Sequence, residues 1–223
     1  MKSIILAAGI GSRLNISEPK GLLRLPDNET LLGRQVRIQK SFGLNNINIV
    51  VGHKNELIEK QIADVNYIHN PNYAKTNTAK SLLMGLQNID DDVIWSNGDL
   101  VYDENIIGEI IKSESNTVIV NKSKCGEEEV KYSINGSGQI IEISKEVSMP
   151  AGEALGINLI RRETLADFKE ALEECEKNDY FERGLQILIN RRIKIKPLDV
   201  SQYRCIEIDF PEDWEKAQKM FAN

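Results

Sequence analysis

Short apolar runs and longer amphipathic stretches alternate along the N-terminal half of the chain. The apolar runs predict buried strands at residues 4–8, 47–51, 67–69, 93–96 and 117–120. Apolar residues at helical spacing predict helices at residues 31–42, 54–63, 78–86 and 104–111. Strands that alternate with helices are typical of βαβ units, which form a parallel sheet with helices on both faces. The pattern therefore predicts an α/β fold whose ligands bind beyond the carboxyl ends of the strands.

The pattern changes near residue 121. Two short strand-like segments, 130–134 and 139–144, flank Asn135-Gly136-Ser137-Gly138, which predicts a β-hairpin. Another strand is expected at residues 156–160. We therefore interpret residues 121–160 as a small β-rich insertion that covers one edge of the expected ligand site.

The remainder of the chain returns to mixed elements. Helices are predicted at residues 162–176 and 180–190, and strands at 193–198 and 205–209. A final helix is predicted at residues 211–221, because proline is favoured in the first turn of a helix. With 223 residues and no internal repeat or linker, the chain is expected to form one domain over residues 1–223.

The loop that follows the first strand carries the strongest functional signal. It reads Leu6-Ala7-Ala8-Gly9-Ile10-Gly11-Ser12-Arg13, and Pro19-Lys20 follows shortly after. Small residues allow backbone N–H groups to approach a ligand closely, and successive N–H groups form a concave anion site. Arg13 adds several planar N–H donors, and Lys20 adds a compact positive charge. The loop lacks the third glycine of dinucleotide-binding proteins and the Gly-Lys-Ser/Thr of the P-loop, and it predicts a different kind of triphosphate site.

Two aspartates are candidates for holding Mg²⁺. Asp99 follows the predicted strand 93–96 at the edge of the sheet where the glycine loop also lies, and Asp209 ends the strand 205–209. Mg²⁺ favours carboxylate oxygens together with substrate phosphates and water. Glu207 shares a face with Asp209 and is a weaker candidate. The alternative interpretations are a turn residue for Asp99 and a helix cap for Asp209.

Charge and cysteine content narrow the functional classes. The net charge of −6 argues against a nucleic-acid partner, although clustered cations can still bind a small anion. The three cysteines are widely separated and form no Cys-x-x-Cys pair, which is typical of reduced thiols in a cytoplasmic protein. The first apolar run is too short for a signal peptide, and no run is long enough to cross a membrane.

The wider N-terminal string, Leu-Ala-Ala-Gly-x-Gly-x-Arg-Leu with Pro-Lys, resembles the signature of nucleotidyltransferases that activate sugar phosphates and phospho-alcohols. Three further segments resemble those of bacterial phosphocholine cytidylyltransferase-like enzymes, so that the resemblance extends from Leu6 to Asp213. These segments are Asn70-Pro71-x-Tyr73 with Thr76-Asn77 and Ser81-Leu82, Ser144-Lys145 with Gly152-Glu153-x-x-Gly156-Ile157, and Ile206-Glu207-Ile208-Asp209 with an acidic helix start at Asp213. The resemblance implies a three-layer α/β/α sandwich around a Rossmann-like, mostly parallel mixed sheet. It also implies transfer of a nucleotidyl group from an NTP to a phosphate or phosphonate, with release of pyrophosphate.

The resemblance implies a role for each matching residue. Arg13 and Lys20 would be catalytic, Asp99 and Asp209 would hold Mg²⁺, and Lys145 and Glu153 would orient the acceptor. The NTP, with CTP favoured, would be bound by Leu6, Ala7, Ala8, Gly9, Gly11, Ser12, Asn77 and Ser81. The alternative to an acceptor role is a solvated hairpin lysine for Lys145 and a loop carboxylate for Glu153.

The acceptor is not fixed by the sequence. It is expected to be a small phosphorylated amine or alcohol, a phosphonate or a phosphorylated amino acid. No aromatic cage for a quaternary ammonium is evident among Trp95, Tyr102, Tyr132, Tyr180 and Phe181, and the acidic run 127–129 could attract an amine. The alternatives are a sugar-1-phosphate nucleotidyltransferase that uses UTP, dTTP or GTP, an enzyme that loads GTP onto a molybdenum cofactor, and an inactive nucleotide-binding regulatory protein. The oligomeric state is not indicated.

Overall fold

The computed structural model describes residues 1–14, 16–122 and 125–222, except for the Ser12 side chain. Its strands are β1 Lys2–Ala7, β2 Ile47–Val51, β3 Asn66–His69, β4 Val93–Asn97, β5 Leu100–Tyr102, β6 Thr117–Asn121, β7 Lys131–Ile134, β8 Ile140–Ser144, β9 Gly152–Ile160, β10 Lys196–Asp199 and β11 Cys205–Glu207. Its α-helices are α1 Leu31–Ser41, α2 Asn55–Gln61, α3 Thr78–Leu86, α4 Asn105–Ile110, α5 Arg162–Glu174, α6 Phe181–Asn190 and α7 Pro211–Met220.

The main sheet has the strand order β10-β6-β9-β4-β1-β2-β3. Strand β1 pairs in parallel with β2 and β4, and β2 pairs in parallel with β3. Strand β9 is antiparallel to both of its neighbours, β4 and β6. The predicted mostly parallel mixed sheet is therefore confirmed.

Alternate side chains of the central strand β1 enter different cores. Ile4 and Leu6 pack in a cluster with residues of α3, α5 and α6, whereas Ile5 packs on the opposite face with residues of α1 and α2. This alternation is what a strand covered by helices on both faces requires. The three-layer α/β/α arrangement expected from the sequence is confirmed.

Three aromatic side chains join the sheet to the helices on the α5–α6 face. The ring of Trp95 on β4 stacks on Phe168 of α5 with centroids 5.2 Å apart, and meets Phe181 of α6 edge-on at 5.6 Å. All three side chains are almost completely buried. This cluster fixes the position of α6, whose first turn borders the cleft described below.

Two parts of the sequence interpretation were wrong in detail. Residues 156–160, assigned to the β-rich insertion, form the second half of β9, which lies in the centre of the main sheet. The β7–β8 hairpin does form, and β7 pairs with β9 beside the cleft. The three-residue strand β5 was not predicted, and it pairs with β11 to make a separate two-stranded ribbon.

None of the helices in the described ranges has the length and apolar character needed to cross a membrane.

Candidate functional site

A large cleft of about 840 Å³ opens at the carboxyl ends of β1 and β4. It brings together nearly every candidate site residue indicated by the sequence, from segments far apart in the chain. These lining residues are Leu6, Ala7, Ala8, Gly9, Gly11, Arg13, Lys20, Asn77, Ser81, Asp99, Lys145, Glu153 and Asp209. The Ser12 side chain lies outside the described atoms. The cleft therefore contains the predicted nucleotide, metal and acceptor groups together, although this proximity does not assign their roles.

The glycine loop at the end of β1 is held by close backbone contacts. The Gly98 N–H donates to the Leu6 carbonyl at 2.8 Å, and a Cβ on Gly98 would lie 2.8 Å from that same oxygen. Gly11 has a left-handed backbone, with φ of +68°, and a Cβ there would lie 2.8 Å from Cγ of Lys20. Glycine is therefore required at both positions, and Gly11 also leaves room for the stem of Lys20.

Gly11→Ala is expected to reduce turnover by displacing Lys20, and to lower the free energy of unfolding by about 1 kcal/mol through backbone strain. Gly43→Ala is the matched control, because Gly43 also has a positive φ, of +83°, but has open space around its missing Cβ. Steady-state kinetics and urea unfolding of both variants make the comparison. Equal losses of turnover in the two variants would contradict the proposed contact.

Lys20 lies between the two predicted metal ligands. Its Nζ donates to Oδ1 of Asp209 at 2.6 Å and to Oδ2 of Asp99 at 3.2 Å. Lys20 enters from the short 3-10 turn Lys20–Leu22, whereas Asp99 follows β4 and Asp209 follows β11. Three distant segments of the chain therefore converge on one ammonium group.

The pKa values at this point reflect burial and mutual charge. Burial raises the pKa of Asp99, the Lys20 charge opposes that rise, and the charge of Asp209 adds to it. Burial opposes the charge of Lys20, but the nearby charge of Asp99 and the hydrogen bond and charge of Asp209 together raise its pKa. The two carboxylates therefore need a cation, and Lys20 supplies one.

The donor set suits Mg²⁺ in combination with a substrate. Within the described ranges, no group of three or more His, Cys, Asp or Glu side chains is arranged to hold a metal ion. Asp99 and Asp209 supply two carboxylates, and the ammonium between them marks a position where positive charge is stabilised. Mg²⁺ commonly binds to one or two carboxylates and completes its coordination with phosphate oxygens and water. The pair therefore fits a metal that binds with the NTP.

The predicted nucleotide contacts Asn77 and Ser81 lie on the wall of the cleft that α3 forms. Asn77 caps α3, because its Oδ1 accepts from the Thr78 N–H at 2.8 Å. Ser81 is held by the buried Asn70, whose Nδ2 donates to the Ser81 Oγ at 3.0 Å. Asn70 belongs to one of the motifs seen in the sequence, and the structure shows that it positions this wall.

The predicted acceptor residues lie near a group of ionic contacts at the cleft mouth. The Lys145 Nζ lies 3.1 Å from Oε2 of Glu128, and the same oxygen lies 3.8 Å from Nη2 of Arg13. Arg13 also approaches Asp209, at 3.7 Å. Glu153 accepts a hydrogen bond from Asn121 at 2.9 Å, and burial raises its pKa. Arg13 and Lys145 are thus linked through one exposed carboxylate.

Glu182 also lines the cleft, and it was not predicted from the sequence. It is the second residue of α6, and it is only 8 % exposed. Its Oε2 is closed to solvent and has no hydrogen-bond partner among the residues that the structure describes. Burial raises the pKa of Glu182 to about 7. In sequence, a glutamate in the first turn of a helix indicates only a favourable helix-dipole interaction.

Glu207, the weaker metal candidate, lies in the same part of the cleft. Its Oε1 accepts from Nδ2 of Asn97 at 2.9 Å. Burial raises the pKa of Glu207 well above its usual value, and the charges of Asp99, Asp209 and Glu182 raise it further. Glu207 and Glu182 are therefore two acids that repel each other when both are ionised.

Glu182→Gln is expected to stabilise the fold at alkaline pH. Glu182 ionises near pH 4.5 when unfolded and near pH 7 when folded, so the wild type loses stability as the pH rises between these values. The variant removes this loss, and its free energy of unfolding at pH 8 should exceed that of the wild type by about 2 to 3 kcal/mol, with the gap closing toward pH 5. Urea unfolding of both proteins at several pH values between about 5 and 8 measures this difference in free energy of unfolding.

The control for this prediction is Glu163→Gln. Glu163 is likewise the second residue of its helix, α5, but is exposed and does not line the cleft. Its replacement should leave the pH dependence of unfolding unchanged. A pH-independent difference between Glu182→Gln and the wild type would contradict the proposed ionisation of Glu182.

Comparisons with known proteins identify cytidylyltransferases as relatives of this chain. CTP:phosphoglutamine cytidylyltransferase from Campylobacter jejuni is 28% identical over an alignment 251 positions long, gaps included, which covers 96% of this chain and 98% of that protein. Choline-phosphate cytidylyltransferase from Streptococcus pneumoniae is 36% identical over 89 residues, covering 38% of each chain. The solved structure of CTP:phosphocholine cytidylyltransferase from Streptococcus pneumoniae matches with a TM-score of 0.83, at 20% identity and 98% coverage of both chains. This structural match shows the fold.

The family comparison covers most of the chain. The model of the MobA-like NTP transferase domain matches residues 3–190, which include the glycine loop, Lys20, Asp99 and the α6 wall of the cleft. The matched region ends before Asp209, which nevertheless lies within hydrogen-bond distance of Lys20. The chain therefore belongs to the MobA-like NTP transferase family.

Proposed function

We propose that this chain is a cytidylyltransferase that moves CMP from CTP to a small phosphorylated amine or alcohol, a phosphonate or a phosphorylated amino acid, releasing pyrophosphate. The observation that carries the proposal is Lys20, held between Asp99 and Asp209 beside the glycine loop. Relatives named for CTP-dependent transfer to phosphoglutamine and choline phosphate support both the nucleotide and the class of acceptor.

The chemistry follows from charge. An acceptor phosphate oxygen attacks the α-phosphorus of CTP in line with the leaving pyrophosphate, forming one P–O bond while the α–β bridging P–O bond breaks. The attacking oxygen is already anionic near neutral pH, so no general base is required. Lys20 stabilises negative charge on the α-phosphoryl group, and Arg13 stabilises it on the pyrophosphate. Catalysis therefore depends on positioning and on charge neutralisation.

Asp99 and Asp209 would hold Mg²⁺ in this proposal. The chemistry that Mg²⁺ would supply there is positive charge that offsets the negative charge of the phosphates. Lys20 would then move from its position between the carboxylates toward the α-phosphate, as its long flexible side chain allows. Lys145 and Glu153 would orient the acceptor. We place the reaction in the cytoplasm, where thiols such as those of this chain remain reduced.

A sugar-1-phosphate nucleotidyltransferase is the second candidate. Its supporting observation is the N-terminal glycine loop with Arg13 and Lys20, which such enzymes share. The two proposals differ in the base of the NTP and in the acceptor. A regulatory protein without activity is disfavoured by the retention of Arg13, Lys20, Asp99 and Asp209 in one cleft.

The test is pyrophosphate release with Mg²⁺, measured for CTP, UTP, GTP, ATP and dTTP. Each NTP is paired with phosphocholine, phosphoethanolamine, 2-aminoethylphosphonate, phosphorylated amino acids and hexose-1-phosphates. Release with CTP and a phospho-amine, phospho-alcohol or phosphonate is the expected result. Release only with another NTP and a hexose-1-phosphate would move the function to the second candidate. Tight NTP binding without any release would favour the regulatory protein.

A further inference from the structure

One oxygen of the buried Glu182 carboxylate is unpaired, although a hydrogen bond from the residue's own backbone and the charge of Lys145 also act on this carboxylate. Its side chain is 8 % exposed, and its solvent-inaccessible Oε2 has no hydrogen-bond donor within the described part of the chain. The residue borders both the large cleft and a smaller adjoining cavity of about 170 Å³. An unpaired buried acceptor is costly, and such groups in folded proteins are normally satisfied by protein, water or ligand. The position of Glu182 at the cleft wall points to a ligand.

The surrounding charges make that ligand a cation. Glu207 lines the same cleft and its charge interacts with that of Glu182. Lys145 also acts on Glu182, but its ammonium is bound to Glu128 at 3.1 Å. Lys20 is occupied by Asp99 and Asp209 on the phosphate side. Among the described residues, neither the buried Glu182 nor the half-buried Glu207 has a lysine or arginine nitrogen close enough to form an ion pair.

The aromatic residues do not form a box for a quaternary ammonium. Trp95, Tyr102, Tyr132 and Phe181, which the sequence offered as candidates, are buried in the core and do not line the cleft. Tyr180 does line it, but the Lys145 Nζ lies over its ring at 5.6 Å. Phe210 similarly lies under the guanidinium of Arg13, at 5.3 Å. Both rings therefore already face cations of the protein. The other aromatic residue of the cleft lining, Tyr73, lies beside His53, with ring centroids 6.0 Å apart.

We propose that Glu182 selects acceptors that carry a primary ammonium group. This inference rests on the proposed transfer to a small phosphorylated or phosphonate acceptor. A primary ammonium has three N–H donors and supplies a positive charge to the Glu182 carboxylate. It also supplies the hydrogen bond that Oε2 lacks, once the side chain turns this oxygen from its closed position toward the cleft. A trimethylammonium has no N–H, so it would leave that oxygen unpaired.

The experiment compares three acceptors of the same length: 2-aminoethyl phosphate, its N,N,N-trimethyl derivative and 2-hydroxyethyl phosphate. Pyrophosphate release with CTP and Mg²⁺ gives kcat/KM, and titration calorimetry with an α,β-methylene analogue of CTP gives binding without turnover. The proteins are the wild type, Glu182→Gln and the matched control Glu163→Gln, which removes a carboxylate from the equivalent position of α5.

The wild type should favour the primary amine over the trimethyl compound by about tenfold or more. Glu182→Gln should reduce this preference by about tenfold and leave the neutral acceptor within about twofold, while Glu163→Gln keeps the wild-type preference. Equal use of the two amines by the wild type, or an equal loss for all three acceptors in Glu182→Gln, would overturn the inference. Absence of turnover with CTP would contradict the proposed function. The inference about Glu182 would then be decided by the calorimetry alone, as the difference in binding between the primary amine and the trimethyl compound.

Discussion

Lys20→Ala is expected to lower kcat by about 100- to 1,000-fold while raising the KM for CTP by less than about tenfold. The difference arises because Lys20, whose Nζ is bound to Asp99 and Asp209, would act on charge that develops at the α-phosphoryl group. An interaction made mainly in the transition state lowers kcat more than it weakens binding. Steady-state kinetics with CTP as the varied substrate measure both effects.

The control for Lys20→Ala is Lys112→Ala. Lys112 is 71% exposed, pairs with Glu109 and does not line the cleft, so its removal changes the net charge by the same amount without touching the site. It should behave as the wild type. A Lys20→Ala enzyme in which CTP binding weakens as much as turnover falls would show that Lys20 acts in ground-state binding.

Asp99→Asn is expected to lower kcat/KM by about three orders of magnitude, which corresponds to about 4 kcal/mol of transition-state stabilisation. Asparagine keeps the shape of the side chain but removes the negative charge that would attract Mg²⁺. The variant should also need more Mg²⁺ for half-maximal activity. Binding of Mn²⁺ in the presence of CTP, followed by electron paramagnetic resonance, reports the loss of the site without relying on activity.

Asp64→Asn is the matched control for this variant. The Asp64 side chain is 88% exposed and its backbone φ of 57° is one that asparagine also tolerates, so the change is conservative in shape. Its activity and Mn²⁺ binding should equal those of the wild type. Unchanged Mn²⁺ binding in Asp99→Asn would exclude Asp99 as a ligand and leave it only the role of positioning Lys20.

The sequence predicted the site best where the candidate residues directly follow a buried strand. The glycine loop could be predicted because tiny residues directly after a buried strand, followed by two cations, are typical of an anion site, and parallel topology then places the loop and Asp99 at one edge. The structure confirms that the loop and Asp99 line one cleft. The roles given to these residues are still predictions.

The sequence was least informative where tertiary packing decides the environment. Strand β5 has three residues, too few for a periodic pattern, and its pairing with β11 depends on a contact across the chain. Glu182 has the sequence context of an exposed helix-start glutamate. It is buried because Phe181, the residue before it, packs against Trp95 and because α6 lies against the β8 hairpin strand, where Gln186 accepts from the Ile143 N–H. No local pattern encodes either contact.

The central claim is transfer of CMP to an acceptor, and the fate of the α-phosphate tests it most directly. The wild-type protein is incubated with Mg²⁺, CTP labelled with ³²P at the α-phosphate, and the acceptor panel. We predict that the label appears in a new CMP–acceptor product and that unlabelled pyrophosphate forms in equal amount. Label that remains in CTP, or that appears only in free CMP, would contradict the proposed transfer.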